Sequence, residues 1–238
     1  MILSAILDFI WPRNCAVCNR PVDRPDRLIC SECIMRLPFV PTTGLCRMCG
    51  RDAASFDRDF LCDDCRSRGT KPHFDRAACA MRFEGEGREL INSFKFRGRT
   101  ELKRDLVDFL EATVRARFKV EEIEAVVPMP STLLHRWLRG YNQCGMLAKA
   151  LGKRLNKPVK WLLRRKGSPK RQGGLKEEAR RKNVIGTFQA VKNKLPYSTV
   201  LVVDDIMTTG STLSESAKTL KAAGIKKVFT VALARSIR

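Results

Sequence analysis

Asp204 and Asp205 stand at the end of an apolar run, Val200 to Val203, and are followed at once by a loop rich in hydroxyls, Thr208-Thr209-Gly210-Ser211-Thr212. The apolar run reads as a parallel strand covered on both faces, because Val and Leu follow one another with no polar alternate. The acidic pair is expected to end it. Carboxylates are acceptor-only groups, suited to hydrogen bonds from vicinal ribose hydroxyls. Gly210 has no Cβ, so backbone N–H groups around it can close on an anion. A helix starting there, with Ser211 or Thr212 as N-cap and Glu215 in its first turn, would aim the positive end of its dipole at a phosphate. Together these residues suit a phosphorylated sugar.

The second concentration of chemistry is in the cysteines. Eight of ten fall into four Cys-x-x-Cys pairs, at Cys15/Cys18, Cys30/Cys33, Cys46/Cys49 and Cys62/Cys65. This is the spacing of zinc ribbons, in which two knuckles each present two thiolates to one tetrahedral ion. Gly50, after Cys49, suits a knuckle turn. The simplest grouping puts the first four cysteines on one zinc and the last four on another; the spacing also permits interleaved pairing and does not settle the choice, and one or two structural zinc ions are implied. Neither site leaves a position for water, which points away from metal catalysis. The module can serve as a scaffold or as a partner surface. Cys79 and Cys144, outside the pattern, read as buried thiols.

A dinucleotide site would show G-x-G-x-x-G and a nucleotide triphosphatase G-x-x-x-x-G-K-[ST]; the loop at 208–212 fits neither. It resembles the 5-phosphoribosyl-1-diphosphate (PRPP) signature of type I phosphoribosyltransferases. That resemblance implies that Asp204 and Asp205 hold the ribose and that Thr208, Thr209, Gly210, Ser211 and Thr212 hold the 5-phosphate, with magnesium accompanying PRPP.

The elements that would position this loop can be read along the chain. Ala77 to Phe83 is strand-like, Gly85 and Gly87 make a turn, and Arg88 to Phe96 is a short helix. Thr100 caps a longer helix with Leu102, Leu106, Leu110 and Val114 on one stripe. Ala125 to Val127 is a second buried strand, ending in the rigid turn Pro128-Met129-Pro130-Ser131. An amphipathic helix carries Leu147, Leu151 and Leu155, and Val159 to Leu163 is a short strand. The strand at Thr199 to Asp204, the helix from Ser211 and the strand Val228 to Ala234 complete a βαβ unit.

Charge adds a different expectation. The 238-residue chain has a formal net charge of +21, which calls for a polyanionic partner such as nucleic acid or an anionic membrane surface. Phe94-Lys95-Phe96-Arg97-Gly98-Arg99 alternates aromatics with cations, as a base-stacking surface would, or as a turn with Phe packed inward would. From Lys160 to Lys182 ten basic residues face only Glu177 and Glu178, in a segment read as a mobile loop. Lys95, Arg97, Arg164, Arg165, Lys170, Arg171, Arg180 and Arg181 are the candidate nucleic-acid contacts. Met1 to Trp11 is apolar except for Ser4 and Asp8, but far shorter than the about 20 residues a bilayer needs. It lacks the features of a signal peptide and reads as a helix whose Leu3, Ile6, Leu7 and Ile10 share a face. A cytoplasmic location is the default expectation.

Read together, the hydrophobic start ending in Trp-Pro, the double cysteine array, Val-Val-Pro-Met-Pro, Arg-Gly-Tyr-Asn-Gln at 139–143, Arg-x-x-Asn at Arg180 to Asn183 and the PRPP signature resemble the ComF family of competence proteins. The expected fold is therefore α/β: a type I phosphoribosyltransferase-like parallel sheet flanked by helices over 76–238, preceded over 1–75 by an N-terminal helix and a small double zinc-ribbon domain. The resemblance implies a PRPP-binding protein that handles internalised single-stranded DNA during natural transformation, with DNA-uptake helicase or channel proteins as partners at the inner face of the membrane. By position it places Pro130, Ser131, Arg139 and Asn142 near the pyrophosphate, and Arg164, Gln172 and Arg180 in a loop closing the site. Thr132 to His135 departs from the pattern, lacking the basic density of a diphosphate loop. The alternative is a genuine phosphoribosyltransferase that moves ribose 5-phosphate onto a nucleobase or amine. The absence of a Cys at the chain's start as an ammonia-releasing nucleophile, with histidines only at His73 and His135, argues against an amidotransferase-type glutaminase.

Overall fold

The computed structural model describes residues 13–24, 26–41, 43–51, 60–67, 71–131, 141–166 and 184–236. Four parallel strands form the main sheet: β1 (Arg76–Arg82), β2 (Ala125–Pro128), β5 (Thr199–Met207) and β6 (Lys227–Arg235), in the order β1-β6-β5-β2. Their near-continuous apolar runs are explained by cover on both faces. Leu201, Val203, Val231 and Leu233 point into one core with Leu90, Phe94, Leu106, Leu110, Leu147 and Leu151. These belong to α3 (Gly85–Phe96), α4 (Lys103–Arg117) and α5 (Gln143–Leu155). Val200, Val202, Val228 and Ala232, the alternate positions, face the other core with Leu213, Ala217 and Leu220 of α6 (Ser211–Ala222).

The two cysteine groups divide between these cores. Cys15, Cys30 and Cys33, with Leu28, Ile29 and the short α1 (Ser31–Arg36), join the first; Cys46, Cys49, Cys62 and Cys65, beside α2 (Asp63–Ser67), join the second. The ribbons thus straddle the edge strand β1, whose outer side is closed by ribbon backbone: Ala77 N donates to Met48 O at 2.7 Å, Val40 N to Ala80 O at 3.0 Å and Arg82 N to Pro38 O at 2.8 Å. Covering an edge in this way removes a template for unwanted pairing. The first ribbon is further tied to α4 by Asp105, which is buried and accepts from Arg27 Nη1 (3.1 Å) and Leu28 N (3.3 Å).

Several boundaries differ from the sequence expectation. β5 does not end at Asp204 but runs to Met207, because β6 continues alongside and pairs Asp204 with Ala232, Ile206 with Ala234 and Met207 with Arg235. Gly210, at φ 77°, is the N-cap of α6 in place of Ser211 or Thr212, with no side-chain cap. Gly85 opens α3 instead of forming a separate turn, and Thr100 begins a 3-10 turn (Thr100–Leu102) ahead of α4. The strand expected at Val159 to Leu163 is an isolated bridge from Val159 to Val126. The true strand is β3 (Leu163–Arg165), which pairs antiparallel with β4 (Phe188–Ala190) in a small second sheet and takes up the start of the expected basic loop. The expected N-terminal helix over Met1 to Trp11 lies outside the described residues, as do 132–140 and 167–183.

Candidate functional site

β5 outruns β2. The ladder between them stops at Val203 opposite Pro128, with one further bond from Met129 N to Val203 O (2.9 Å), so Asp204 and Asp205 emerge where the neighbouring strand has ended. Open α/β sheets bind ligands at such strand ends. Lys95, from the last turn of α3, places Nζ 2.7 Å from Asp205 Oδ2, with the two side chains only 14% and 15% exposed. Asp204 Oδ1 accepts from Asp205 N at 2.9 Å and from Cys144 Sγ at 3.4 Å. Burial, and then the neighbouring Asp205 charge, push the Asp204 carboxyl up to about 7, and burial likewise raises the Cys144 thiol.

Tyr141 and Gln143, from the described part of the Arg-Gly-Tyr-Asn-Gln stretch, explain how Lys95 is held. Helix ends leave carbonyls without partners, and here Tyr141 Oη donates to Phe94 O (3.1 Å) while Gln143 Nε2 donates to Lys95 O (3.2 Å). Between them Asn142 caps α5, its Oδ1 accepting from Gly145 N at 3.0 Å. At the end of β2, Ser131 Oγ is buried with no hydrogen-bond partner among the described residues. Beyond the acidic pair, Thr209 Oγ1 and Ser211 Oγ lie 2.7 Å apart, and Ser211 N reaches Thr209 Oγ1 at 3.3 Å. A glycine N-cap leaves the remaining first-turn N–H groups of α6 to an outside acceptor.

The sulfurs settle the grouping that spacing left open. Cys15, Cys18, Cys30 and Cys33 converge within 4.8 Å of one another, as do Cys46, Cys49, Cys62 and Cys65. Cys18 and Cys30 Sγ are 3.7 Å apart, as are Cys49 and Cys62 Sγ. A tetrahedron with Zn–S bonds of about 2.3 Å has sulfur–sulfur edges of about 3.8 Å, so each group fits one zinc. Backbone N–H groups already point at the metal-facing sulfurs, Cys15 Sγ accepting from Val17 N (3.5 Å) and Cys30 N (3.4 Å). Asn19 (φ 59°) and Gly50 (φ 67°) close matching knuckle turns. A Cβ at Gly50 would stand 2.5 Å from Ala77 O, so this glycine also lets the second ribbon meet β1 backbone to backbone.

Residues 6–67 match the family description "Double zinc ribbon domain" and residues 142–237 match "Phosphoribosyl transferase domain". Competence protein F of Haemophilus influenzae is 29% identical over 94% of this chain and 97% of its own length. Competence protein ComFC of Bacillus subtilis is 25% identical over 83% of this chain and 79% of its own. These relatives bear out the resemblance to the ComF competence proteins that the sequence motifs carry. A further relative, DNA utilization protein YhgH of Escherichia coli strain K12, is 26% identical over 95% of this chain and 98% of its own.

In this chain the remaining sequence candidates are dispersed. Lys95, expected on a nucleic-acid surface, sits instead against Asp205. Its neighbours divide: Phe94 is buried, Phe96 is 68% exposed, and Arg97 pairs with Glu89 at 2.6 Å. Arg164 is exposed; Arg165 packs its guanidinium over the Phe188 ring at 5.5 Å, and burial lowers its pKa while Asp204 acts the other way. Arg139, Lys170, Arg171, Arg180 and Arg181 lie outside the described residues. Cys79 is buried, 4.0 Å from Met207 Sδ. Sequence reasoning overlooked Arg235, a buried cation at the end of β6, and the contact between Cys144 and Asp204. For Arg235 the available signal was a charge closing an otherwise apolar strand. Among the described residues no helix is long and apolar enough to cross a membrane.

Proposed function

We propose that this protein binds PRPP between Asp204 and Thr212 and couples that site to the handling of internalised single-stranded DNA during natural transformation. The observation carrying the PRPP half is the acidic pair standing clear of β2, with Lys95 already placed against Asp205 and a glycine-capped helix N-terminus just beyond. The ribose hydroxyls would donate to Asp204 and Asp205, the 5-phosphate would take the N–H groups of 208–212, and Lys95 and Ser131 would face the diphosphate with its magnesium; the family resemblance adds Arg139 to this set. The DNA half is supported by relatives named for competence and DNA utilization, and by the net charge of +21. Zinc stays structural, each ion enclosed by four sulfurs. Cytoplasmic placement and uptake-machinery partners belong to the same proposal.

Calorimetric titration of PRPP into wild type and an Asp204→Asn/Asp205→Asn double variant tests the site. Affinity is expected in the wild type and its loss in the variant; equal affinity in both would remove the assignment. Incubating PRPP with a panel of nucleobases and amines then separates a binding protein from a transferase.

A further inference from the structure

At the opposite end of the strands from Asp204, the second ribbon and the sheet enclose a groove of about 510 Å³. Ala232, which pairs with Asp204, lies five residues along β6 from Lys227 at the groove, or about 16 Å at strand rise. Arg47, Met48 and Leu61 form the ribbon wall, Lys71 spans the connection to the sheet, and Arg76 opens β1 on the other side. Two carboxylates are present, and both are engaged: Asp75 with Lys221 (2.9 Å) and Val228 N (2.8 Å), and Glu122 with Lys227 (3.1 Å). Arg47, Lys71 and Arg76 are left without an ion-pair partner among the described residues. Arg76 also lies near enough to Arg117 for the two charges to oppose each other; burial, and then Arg76, lower the Arg117 pKa. Cations crowded beside engaged carboxylates are the arrangement an incoming anion relieves.

The groove also has an aromatic neighbour. Phe60, next to the lining residue Leu61, is joined to Arg47 through Arg47 N to Phe60 O at 2.8 Å, and the residue is 63% exposed. Met48 and Leu61 are half-buried beside it. An exposed aromatic next to a basic groove is what a single strand requires, with phosphates on the cations and an unpaired base on the ring.

We infer that the groove between the second zinc ribbon and the β1/β6 strand starts is a binding track for single-stranded DNA, physically separate from the PRPP site. The inference rests on the DNA-handling reading above and gives it a location: DNA needs the docked ribbon, whereas PRPP needs the far ends of the strands. Both ligands can therefore be bound at once.

Fluorescence anisotropy with labelled oligothymidine tests this on the full zinc-loaded chain. In an Arg47→Ser/Lys71→Ser/Arg76→Ser variant, affinity should fall by at least about tenfold and the log–log salt slope should become shallower by about 2, three phosphates' worth for a single strand. PRPP affinity and zinc content should be unchanged. Phe60→Ala should weaken binding on the order of tenfold without altering the salt slope. Saturating PRPP should not displace the oligonucleotide, and the Asp204→Asn/Asp205→Asn variant should bind it normally. Undiminished DNA affinity in the triple variant, or displacement by PRPP, overturns the groove while leaving a DNA-binding protein. A wild type that binds PRPP but no oligothymidine overturns the groove together with the DNA reading.

Discussion

Arg235 reaches across 186 residues of sequence to Cys49, its Nη1 donating to the Cys49 carbonyl oxygen at 2.6 Å. It is 2% exposed and faces no carboxylate among the described residues. Burial works against its charge, yet the surrounding sulfurs of Cys79, Cys49 and Cys62 prevail and leave its pKa above the ordinary value. The same nitrogen lies 3.9 Å from Met207 Sδ, next to the loop at 208–212. A four-thiolate zinc site carries a formal charge of −2, and Arg235 is its built-in counterion. Arg235→Met should cost about 2–3 kcal/mol in stability, the scale of a hydrogen bond to a charged group, and should make one of two zinc ions per chain easier to extract. Chelator kinetics followed by a metal-binding dye read this directly; two ions released at unchanged rates would count against it.

Zinc removal should melt the protein as a whole, because each ribbon completes a different face of the same sheet. Apparent binding energies of about 10–16 kcal/mol per structural site exceed the net stability of most domains. Elemental analysis should find two zinc ions in wild type and one in Cys46→Ser. Calorimetry should show a single transition that drops sharply with chelator, whereas a surviving sheet transition at the original temperature would contradict the shared core.

Asp204 sets a pH dependence with a definite sign. Its carboxyl titrates near 7 in the folded chain against 3.8 for the ordinary group. Folding therefore takes up a proton between those values, and Asp204's contribution makes stability fall as pH rises through that window. Relative to wild type, Asp204→Asn should gain in melting temperature between about pH 5 and about pH 8. PRPP affinity should move the opposite way, since ribose hydroxyls need the ionised acceptor, and wild type should strengthen with pH more than the Asn variant. Parallel stability curves for the two proteins would refute the assignment.

Gly210 holds φ 77°, and a Cβ there would stand 2.7 Å from Met207 Cε. The methionine tip can swing aside, so the backbone sets most of the penalty. Gly210→Ala should cost about 1–2 kcal/mol from the left-handed conformation alone. PRPP binding should weaken with it as the loop departs from its αL turn. Chemical denaturation and calorimetry check the two effects separately.

The acidic pair, the hydroxyl loop and the eight cysteines were legible in the sequence because their chemistry lies in short contiguous runs. The buried strands were legible for a similar reason: alternate residues feed two cores, leaving Val200 to Val203 without a polar position. Lys95 was misassigned because its local pattern, Phe-Lys-Phe-Arg, is that of a surface. Only the docking of α3 on β1 and β6, with Gln143 at the start of α5 bonded to its last turn, brings its Nζ to Asp205. β5 ran past its expected end because carboxylates weaken a strand locally, while pairing with β6 is a tertiary fact. β4 was missed because three residues hold too little periodicity to announce a strand.

The parallel pairing of β1 with β6 runs from Arg76 opposite Phe229 to Arg82 opposite Arg235. It joins segments made early and late in synthesis. The cysteine knuckles can gather their metal while most of the sheet is still untranslated, but the surfaces that bury their apolar backs arrive with β6. Such non-local pairing slows folding. Metal capture and completion of the core are thus separated in time, and during that interval a nascent chain would be at its most vulnerable to proteases and to sticking to its neighbours.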